Sequence, residues 1–596
     1  MESIRNQDCL ISTLMRLRES SKDAVVSADY VDELSVYMHV DRPVQEEFEK
    51  QLKKAALSSH AELILLCGSV GDGKSHMLQM CNFKYPDLMS EFYVHNDSTA
   101  SLYIDKPASF TLKELLDPFS DEKIEQSNNK VILAMNLGTL SNFLDQDDEK
   151  RFKRLASYVR EAGILEGKKD NDVDTLYFHC VNFADYHLYE ISKSGPTSLY
   201  IEHLIERIVH ETDENIFYNA YCSQCGNCDA KSICPVCINF KLLSDRNVRA
   251  GVVSTIIESI VKCKLIVSTR TLLNFIYEIL VNENYFDQGS LEPRKIPAKL
   301  TKKQYIESLL PSALYDRSGS SEFLAAIHKM DPLHIRNENV DMFFVDYEND
   351  ELALNVFKED LKEYENILLK VSDSDFSDYA NHELKENLLH LYIRMCKLLS
   401  IRQDILPQDK EYSDYMKYLY LWNIGMHQQL VTLYKDIGRG ILSWNGAAGK
   451  NEMQLQTVNS VSEYHLYQDI SLKIVTSDPY TEEADVLYTF RDEIKLKYKV
   501  NGTQIISDLD IDFNLYTLLK QVIKGYIPSL VDKRVNVRCV DFINKISRGG
   551  SKMETLTIKN LTQKSAREYV FEYDTAFGYL FIKNYICLFD YLFISS

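Results

Sequence analysis

Hydrophobic and polar residues follow two different periods along the chain, and the changes between them predict its organisation. Between residues 61 and about 285, short apolar runs alternate with stretches of helical spacing, which is typical of a doubly wound or related α/β sheet. The apolar runs predict five strands, at Glu62–Cys67, Glu91–His95, Lys130–Asn136, Thr175–Cys180 and Lys264–Ser268.

The regions on either side differ from this core. Apolar positions with helical spacing dominate residues 1–60 and again residues 301–449, where a long helix is predicted over Asn381–Arg402. After residue 449 the period becomes two, as in Ile494–Val500, where apolar and charged side chains alternate as they do along a half-buried strand. We therefore predict an N-terminal helical segment (1–60), an α/β core (61–300), a helical domain (301–449) and a C-terminal α+β domain (450–596).

Composition and charge limit the class of protein. The chain has 596 residues, of which 45% are hydrophobic and 26% charged, and these values are ordinary for a globular protein. Its formal net charge of −21 argues against a protein that coats nucleic acid along its whole surface, although local basic patches are compatible with it. No apolar run reaches the roughly 18 residues of a membrane span, and the N-terminus lacks the apolar core of a signal peptide. We expect a cytoplasmic protein without membrane contact.

A glycine-rich segment follows the first predicted strand and leads into a predicted helix. Gly68–Ser75 matches G-x-x-x-x-G-K-[ST], and both flanks agree with the strand and the helix that this motif requires. In such a loop, backbone N–H groups and the helix N-terminus surround the phosphates, the lysine reaches the β- and γ-phosphates, and the hydroxyl binds Mg²⁺. The motif predicts a P-loop NTPase core that binds ATP and Mg²⁺, with Ser75 as the magnesium ligand. The predicted nucleotide-binding residues are Gly68, Ser69, Val70, Gly71, Asp72, Gly73, Lys74, Ser75 and His76.

Hydrolysis needs more than this loop, because a carboxylate at the end of a neighbouring strand usually holds Mg²⁺ or its water. The third predicted strand ends in Asn136 rather than in an acid. Asp97, after the second predicted strand, is the first alternative, and Asp185 is the next. Asn136 and Asn182 could orient a water molecule, but asparagine and aspartate at strand ends also form turns and helix caps. ATP binding without hydrolysis therefore stays open.

Arg270 follows the fifth predicted strand and opens a predicted helix. A guanidinium in this place could reach the γ-phosphate of its own or of a neighbouring subunit, so a homo-oligomer stays open. The alternative is a solvated arginine at a helix start. The candidate catalytic residues are Lys74, Asp97, Asn136 and Arg270.

Five of the thirteen cysteines fall within sixteen residues of a long insertion near residues 200–245. They form two C-x-x-C pairs, Cys222/Cys225 and Cys234/Cys237, and the additional Cys228, so four of the five could supply a tetrahedral Cys₄ site. Zn²⁺ is the first expectation and an iron–sulfur cluster is the alternative, since thiolates bind both. The candidate metal ligands are Cys222, Cys225, Cys228, Cys234 and Cys237.

Basic residues are concentrated in two segments. Residues 293–303 hold five cations and no acid, and residues 524–552 hold seven cations and two acids. Either segment could contact DNA phosphates. Each could equally be a solvated face or a docking surface for an acidic partner.

Four short sequences occur in a fixed order between residues 60 and 450, namely Gly68–His76, His95–Ser101, Cys234–Asn239 and Trp444–Gly446. In this combination they resemble the DptF family, the P-loop ATPases of bacterial phosphorothioation-dependent DNA restriction systems. The resemblance implies an ATP-binding, ATP-hydrolysing subunit of an anti-phage complex that restricts DNA lacking phosphorothioate marks. It also implies partners similar to DptG and DptH. A nucleotide-bound scaffold that assembles these partners without hydrolysing ATP is the alternative.

Overall fold

Two units make up the chain in the computed structural model. The first comprises Met1–Glu190 and Pro196–Gln408, and the second comprises Ile191–Gly195 and Asp409–Ser596. The predicted boundaries at residues 60 and 300 fall inside the first unit, and the predicted boundary at residue 449 falls inside the second. The structure describes residues 9–23, 33–68, 72–96, 108–146, 150–166, 176–286, 292–317, 319, 321–348, 353–376, 378–446, 449, 451–455, 464–476, 484–500, 506–549, 555–560, 565–574, 576 and 578–588.

A parallel sheet of four strands forms the centre of the first unit. Its strands are β1 (Glu62–Cys67), β2 (Tyr93–His95), β3 (Lys130–Met135) and β4 (Phe178–Asn182), in the order β2-β3-β1-β4. Because β1 pairs with β3 on one side and with β4 on the other, Cys67 lies opposite both Met135 and Asn182. Four of the five predicted strands are confirmed, although β2 is shorter and β4 begins later than predicted.

Helices cover both faces of this sheet. The first eight helices are α1 (Leu10–Asp23), α2 (Glu33–Tyr37), α3 (Pro43–Ala56), α4 (Lys74–Lys84), α5 (Pro86–Met89), α6 (Ala108–Leu116), α7 (Leu137–Asp145) and α8 (Lys153–Glu161). Ile64 and Leu66 of β1 pack with α3, α4 and α5, whereas Leu63 and Leu65 pack with α6, α7 and α8 on the opposite face. This arrangement explains the uninterrupted apolar run of β1, because a parallel strand covered by helices is buried on both faces.

The described part of the first unit continues mainly in helices. They are α9 (Leu199–Val209), α10 (Ile216–Gly226), α11 (Pro235–Ser244), α12 (Arg246–Cys263), α13 (Thr269–Leu280), α14 (Ile296–Lys299), α15 (Lys302–Ser308), α16 (Leu310–Asp316), α17 (Glu322–His328), α18 (Glu338–Glu348), α19 (Ala353–Asp360) and α20 (His382–Leu399). α20 confirms the long helix predicted in this region. The N-terminal α1 packs against α10, α11 and α13, and its side chains Leu10, Leu14 and Leu17 are buried.

Short 3₁₀ helices connect several of these elements. They lie at Asp117–Phe119, Ile164–Glu166, Phe183–Asp185, Lys231–Ile233, Pro293–Lys295, Lys362–Leu368, Tyr379–Asn381 and His427–Leu430.

The fifth predicted strand, Lys264–Ser268, is wrong. These residues form an extended connection between α12 and α13 that does not join a sheet. Lys264 has a left-handed backbone (φ 53) at the end of α12, and the side chain of Ser268 caps α13. Ile266 is 86% exposed, so this apolar run has no core to face. The spacing of apolar residues alone does not distinguish a short apolar connection of this kind from a buried strand.

The second unit combines antiparallel strands with helices. Two short strands, β5 (Glu190–Ser192) and β6 (Gly195–Thr197), lie at its boundary with the first unit. The later elements are α21 (Lys410–Asn423), α22 (Val431–Leu442), β7 (Glu452–Gln454), β8 (Tyr464–Asp469), β9 (Leu472–Val475), β10 (Val486–Leu487), β11 (Ile494–Val500), β12 (Ile506–Ile511), α23 (Phe513–Ile523), α24 (Leu530–Val535), α25 (Val537–Gly549), β13 (Thr555–Asn560), β14 (Ser565–Asp574) and β15 (Gly578–Leu588). β9, β11 and β12 form one sheet, and β7, β8, β13, β14 and β15 form another. Buried and half-buried residues alternate along β11, which confirms the period predicted for this segment.

Helices α21 and α22 pack onto the strands of the second unit, and for this reason the unit begins before them. The hydroxyl of Tyr415 donates to the carbonyl of Asp492 at 3.0 Å, and Nε1 of Trp422 donates to the carbonyl of Lys495 at 3.0 Å. None of the helices in the described residues has the length and the apolar composition that crossing a bilayer requires.

Candidate functional site

The glycine-rich segment lies at the junction between β1 and α4. β1 ends at Cys67 and α4 begins at Lys74, as the motif predicts. Of the predicted nucleotide-binding residues between them, Ser69, Val70 and Gly71 lie outside the described residues. The N–H of Gly68 donates to the carbonyl of Met135 at 3.2 Å, so the segment starts at the carboxyl edge of the sheet, against the end of β3.

The two described glycines of the segment are required for different reasons. A Cβ atom on Gly68 would lie 2.8 Å from Oδ2 of Asp72 and 2.9 Å from Cβ of Phe183, whose side chain is buried. Gly73 has open space around it, but its φ of +94° is a conformation that L side chains rarely adopt. Close packing therefore selects glycine at one end of the segment, and backbone conformation selects it at the other.

The side chain of Lys74 folds back over the segment. Its ammonium group donates to the carbonyl oxygen of Gly68 at 2.9 Å. The first turn of α4 holds no acidic residue, and its N-cap, Gly73, has no side chain to satisfy the first N–H groups. These N–H groups have no partner within the helix, and they carry the positive end of its dipole. Ser75 is half-buried in the same turn, so the start of α4 combines the features of an anion-binding site.

His76 pairs with a histidine that the sequence does not single out. Nδ1 of His39 lies 3.1 Å from Nε2 of His76, and Nε2 of His39 lies 3.2 Å from a carboxylate oxygen of Asp41. Burial, together with the nearby His39, lowers the pKa of His76 to about 4. His76 is therefore neutral near pH 7, and the pair joins the first turn of α4 to the chain that precedes α3.

Arg42 supports the segment from the same side. Its Nη1 donates to the carbonyl of Asp72 at 3.0 Å, and its guanidinium lies 5.7 Å and 5.2 Å from the ring centroids of Phe183 and Tyr200. The hydroxyl of Tyr200 lies 2.7 Å from Oγ1 of Thr269 in the first turn of α13. Arg270, the next residue of that turn, is half-buried. The start of α13 is thus linked to the glycine-rich segment by two side chains that no motif identifies.

The asparagines at the ends of β3 and β4 act as caps. Oδ1 of Asn136 accepts from the N–H and the hydroxyl of Thr139, at 2.7 and 3.0 Å, and so caps α7. Oδ1 of Asn182 accepts from the N–H of Ala184 at 3.2 Å, and its Nδ2 donates to Asp185 at 3.1 Å. The carbonyl oxygens of both amides are occupied by the chain itself, which agrees with the capping role that their residue type also allows.

Asn96 follows β2 at the same edge of the sheet. Its Oδ1 is buried and has no hydrogen-bond partner among the described residues. Asp97, the candidate carboxylate, comes directly after it and lies outside the described residues. Because a buried polar atom without a partner is costly, Asn96 marks this edge as a place where a ligand or a neighbouring residue is needed.

Four of the five candidate cysteines of the insertion line one cavity. The cavity is lined by Cys225, Cys228, Cys234 and Cys237, together with Cys9 from the N-terminal segment. Cys222 is exposed on α10 and is not part of this lining. The twelve cysteines whose side chains the structure describes are free thiols. Cys9 could not be found from sequence, because it is a single cysteine far from the cluster.

Interactions among the thiols change their acidity. The pKa of Cys225 is lowered by the Cys237 thiol first, and then by the N–H of Leu10 and by nearby cations. The pKa of Cys234 is lowered by the Cys237 thiol first and further by backbone N–H groups. The pKa of Cys237 is raised because its S–H is shared with the other two sulfurs. The thiol of Cys237 thus interacts with the sulfurs of both Cys225 and Cys234.

A second group with metal-binding residue types is explained by the fold. Ligand atoms of His328, Asp331 and His334 lie within 4.8 Å of one another. However, Asp331 is fully buried and accepts from Nη2 of Arg394 at 2.6 Å and from the N–H of Leu333 at 3.1 Å. A guanidinium beside the carboxylate opposes the binding of a cation. We therefore assign this group to a buried ion pair.

The two basic segments are partly neutralised within the chain. In residues 293–303 three lysines form ion pairs, namely Lys295 with Glu292, Lys302 with Asp373 and Lys303 with Glu383. In residues 524–552 two cations do so, namely Lys524 with Glu411 and Arg538 with Glu493. The positive charge that these segments could offer to a nucleic acid is therefore smaller than the sequence alone indicates.

No protein-family model, no curated protein and no solved structure matches this chain. Its site is therefore interpreted from its own geometry and chemistry.

Proposed function

We propose that the chain is a P-loop protein that binds ATP and Mg²⁺ at Gly68–Ser75. The observation that carries this proposal is the junction of β1 and α4, where Lys74 crosses the segment to Gly68 and an uncapped helix start lies beside it. In the proposed complex, Lys74 moves from the Gly68 carbonyl to the β- and γ-phosphates, and Ser75 binds Mg²⁺. The N–H groups of the segment and of α4 surround the phosphates.

The topology of the sheet supports the same place. From β1 the chain runs to β2 on one side, whereas from β3 it crosses to β4 on the other side. β1 and β3 are neighbours, so their carboxyl ends lie where the direction of the connections reverses. Ligands of open α/β sheets bind in the crevice at such a point.

We further propose that ATP is hydrolysed, with Asp97 as the carboxylate that holds Mg²⁺ or its water. β2 is separated from β1 by one strand, so the end of β2 lies about 10 Å across the edge from the end of β1, where the segment starts. A bound Mg²⁺ with its water molecules can bridge much of this span. The amide oxygen of Asn96, which has no partner among the described residues, supports a ligand at this edge. Arg270 is proposed to contact the γ-phosphate, because the first turn of α13 is linked to the segment through Tyr200 and Arg42.

The alternative is a scaffold that binds nucleotide without hydrolysing it. The capping bonds of Asn136 and Asn182 favour it, because their carbonyl oxygens are not free to orient an attacking water. In this alternative, Asn136 caps α7 and could contact a ligand only through its amide N–H₂ group.

The biological role that we propose is that of a cytoplasmic ATPase subunit in a DNA restriction complex that acts on DNA lacking phosphorothioate marks. Its partners would be proteins similar to DptG and DptH. Two of the four resembling sequences have clear roles in the fold. Asn239 is fully buried, and a Cβ atom on Gly446 (φ +148°) would lie 2.2 Å from Oε1 of Gln454. The resemblance is thus carried by residues that the fold requires, and it supports a shared fold more directly than a shared activity.

A metal is the second cofactor that we propose. Four thiolates of the cysteine-rich insertion would hold Zn²⁺, with an iron–sulfur cluster as the alternative. Elemental analysis of the purified protein separates the two.

ATP turnover tests the proposed activity. The purified full-length chain is assayed alone, with unmodified DNA, with phosphorothioated DNA and with the two partner proteins. We expect turnover that rises with unmodified DNA and partners and that is lost in Lys74→Ala and Asp97→Asn. Nucleotide binding without turnover under every condition would support the scaffold, and the absence of binding would contradict both.

A further inference from the structure

The cysteine cavity brings together two distant parts of the chain. Cys9 immediately precedes α1, whereas the other four lining cysteines belong to the turn between α10 and α11 and to the ends of these helices. Cys225, Cys234 and Cys237 are buried, and Cys9 and Cys228 are half-buried. Cys225 and Cys228 have a C-x-x-C spacing, as Cys234 and Cys237 do, and five residues separate these two pairs. Cys225 has the same spacing with the exposed Cys222, but Cys222 does not line the cavity.

Two helix starts lie at this cavity. Leu10, the first residue of α1, and Val236, in the first turn of α11, both line it, and Cys234 is the N-cap of α11. α1 has 14 residues and α11 has 10, so each is long enough to develop a dipole. Helix N-termini and their free N–H groups stabilise negative charge.

A cation reinforces this preference, because Arg294 also lines the cavity. Four thiolates around one divalent ion carry a net charge of −2. Neutral thiols would gain little from two helix starts and a cation, whereas a metal–tetrathiolate centre would gain from all of them. The electrostatic surroundings of the cavity therefore match a metal centre better than a set of free cysteines.

We propose that Cys225, Cys228, Cys234 and Cys237 bind one metal ion and that the N-terminal residues Cys9 and Leu10 cap this centre, so that metal binding fastens α1 to α10 and α11. Cys222 is not a ligand. This inference rests on the proposed metal site, and it adds the identity of the four ligands and the role of the N-terminal segment. Leu10, Leu14 and Leu17 of α1 are already buried, so the metal would secure a packing that exists rather than create it.

The experiment compares four forms of the full-length chain: wild type, Cys222→Ser, Cys228→Ser and Cys9→Ser. Zinc and iron are measured in each purified protein, and the rate of metal release to a chelator is followed where metal is present. We expect one metal per chain in the wild type and in Cys222→Ser, and strong loss in Cys228→Ser. Cys9→Ser should retain the metal but release it at least several-fold faster, because the cap is weakened.

Hydrogen exchange of α1 provides the second measurement. Chelation should raise exchange across Leu10–Leu17, while β1 and β3 keep their protection and so report that the chain remains folded. Metal loss in Cys222→Ser, or unchanged release in Cys9→Ser together with unchanged exchange of α1 after chelation, would overturn the inference. A wild-type protein that binds neither zinc nor iron would instead refute the proposed metal site itself.

Discussion

The glycine-rich segment and the cysteine cavity lie in the same unit, yet they are stabilised differently. At Gly68–Ser75 the backbone determines the geometry, since Gly68 leaves no room for a side chain and Gly73 has a positive φ. Around the cysteines, side chains determine it. Asn239 of α11 donates to the carbonyls of Ser308 and Leu280 at 2.8 and 3.2 Å and accepts from the N–H of Leu310 at 2.7 Å.

The glycine-rich segment and the cysteine cavity are therefore prepared for a ligand in different ways. The segment keeps N–H donors and a lysine that can be redirected to an anion, so its ligand completes an open edge. The cavity gathers thiols from distant parts of the chain, and these thiols would become charged thiolates on binding a metal cation, which would balance their charge. We therefore expect mutations around the cavity to affect mainly stability and mutations at the segment to affect mainly nucleotide affinity.

The largest effect on stability should come from Asn239→Ala. The change leaves the buried N–H of Leu310 and up to three carbonyls without their partner, and each buried group left unpaired costs about 1–3 kcal/mol. We expect a loss of about 3–5 kcal/mol in the free energy of unfolding, measured by denaturant titration. Asn219→Ala, which removes only an exposed hydrogen bond to the carbonyl of Asp213, should cost less than about 0.5 kcal/mol. Similar losses in the two variants would contradict the contrast.

The pH dependence of the free energy of unfolding should reflect the protonation of His76. Its pKa in the folded protein, about 4, lies below the unfolded value of about 6.5, so the unfolded state binds more protons between these values. The contribution of His76 to the free energy of unfolding is therefore complete above about pH 6.5. It is lost as the pH falls towards 4, by up to about 3 kcal/mol. His76→Gln should flatten this part of the profile, whereas replacing the exposed His210 by Gln should leave it unchanged. A wild-type profile without a decrease in this window would refute the buried neutral histidine.

Gly68→Ala should reduce both the stability of the fold and the affinity for Mg·ATP. The new Cβ atom would lie 2.9 Å from Cβ of Phe183, so β1 or the start of the 3₁₀ helix after β4 must shift. Overpacking of this kind costs about 1–3 kcal/mol. Calorimetric titration should also find weaker binding of Mg·ATP. Gly319→Ala, where a Cβ atom meets nothing within 4 Å, is the matched control and should change neither quantity.

The smallest effect should come from Arg42→Ala. It removes one hydrogen bond to the Asp72 carbonyl and the contacts with two aromatic rings, together worth about 1–2 kcal/mol. We expect Mg·ATP affinity to fall by about tenfold, because 1.4 kcal/mol corresponds to that factor. Arg42→Lys should recover only part of the affinity, since lysine lacks the planar group that stacks on both rings. An unchanged dissociation constant in Arg42→Ala would mean that the backbone alone holds the segment.

Sequence patterns predicted the local features of this molecule well. β1, the glycine-rich segment and α4 follow one another within a short stretch, so the motif alone indicates the strand, the loop and the helix. The alternation of β11 is equally local. The failed strand at Lys264–Ser268 has an apolar composition, but its environment is decided by helices α12 and α13 and not by its own residues.

The parts that sequence could not supply depend on contacts between distant residues. Cys9 reaches the cavity through the packing of α1 on α10 and α11, and Arg42 reaches Asp72 through the packing of α3 on β1 and β4. Spacing alone predicts Cys222 as a ligand because it completes a C-x-x-C pair with Cys225, yet its side chain is exposed on α10. Spacing identifies residue types, and only the fold decides which of them meet.

The most direct test of the nucleotide site is the affinity of Mg·ATP for three full-length proteins: wild type, Lys74→Ala and Lys84→Ala. Both lysines lie on α4, but Lys84 ends the helix and pairs with Glu49 at 3.0 Å. We predict binding to the wild type and to Lys84→Ala with similar dissociation constants. In Lys74→Ala the dissociation constant should rise by about tenfold to a hundredfold, since hydrogen bonds to charged groups contribute about 1.5–3 kcal/mol. Equal affinity in all three proteins, or no binding to the wild type, would contradict the account.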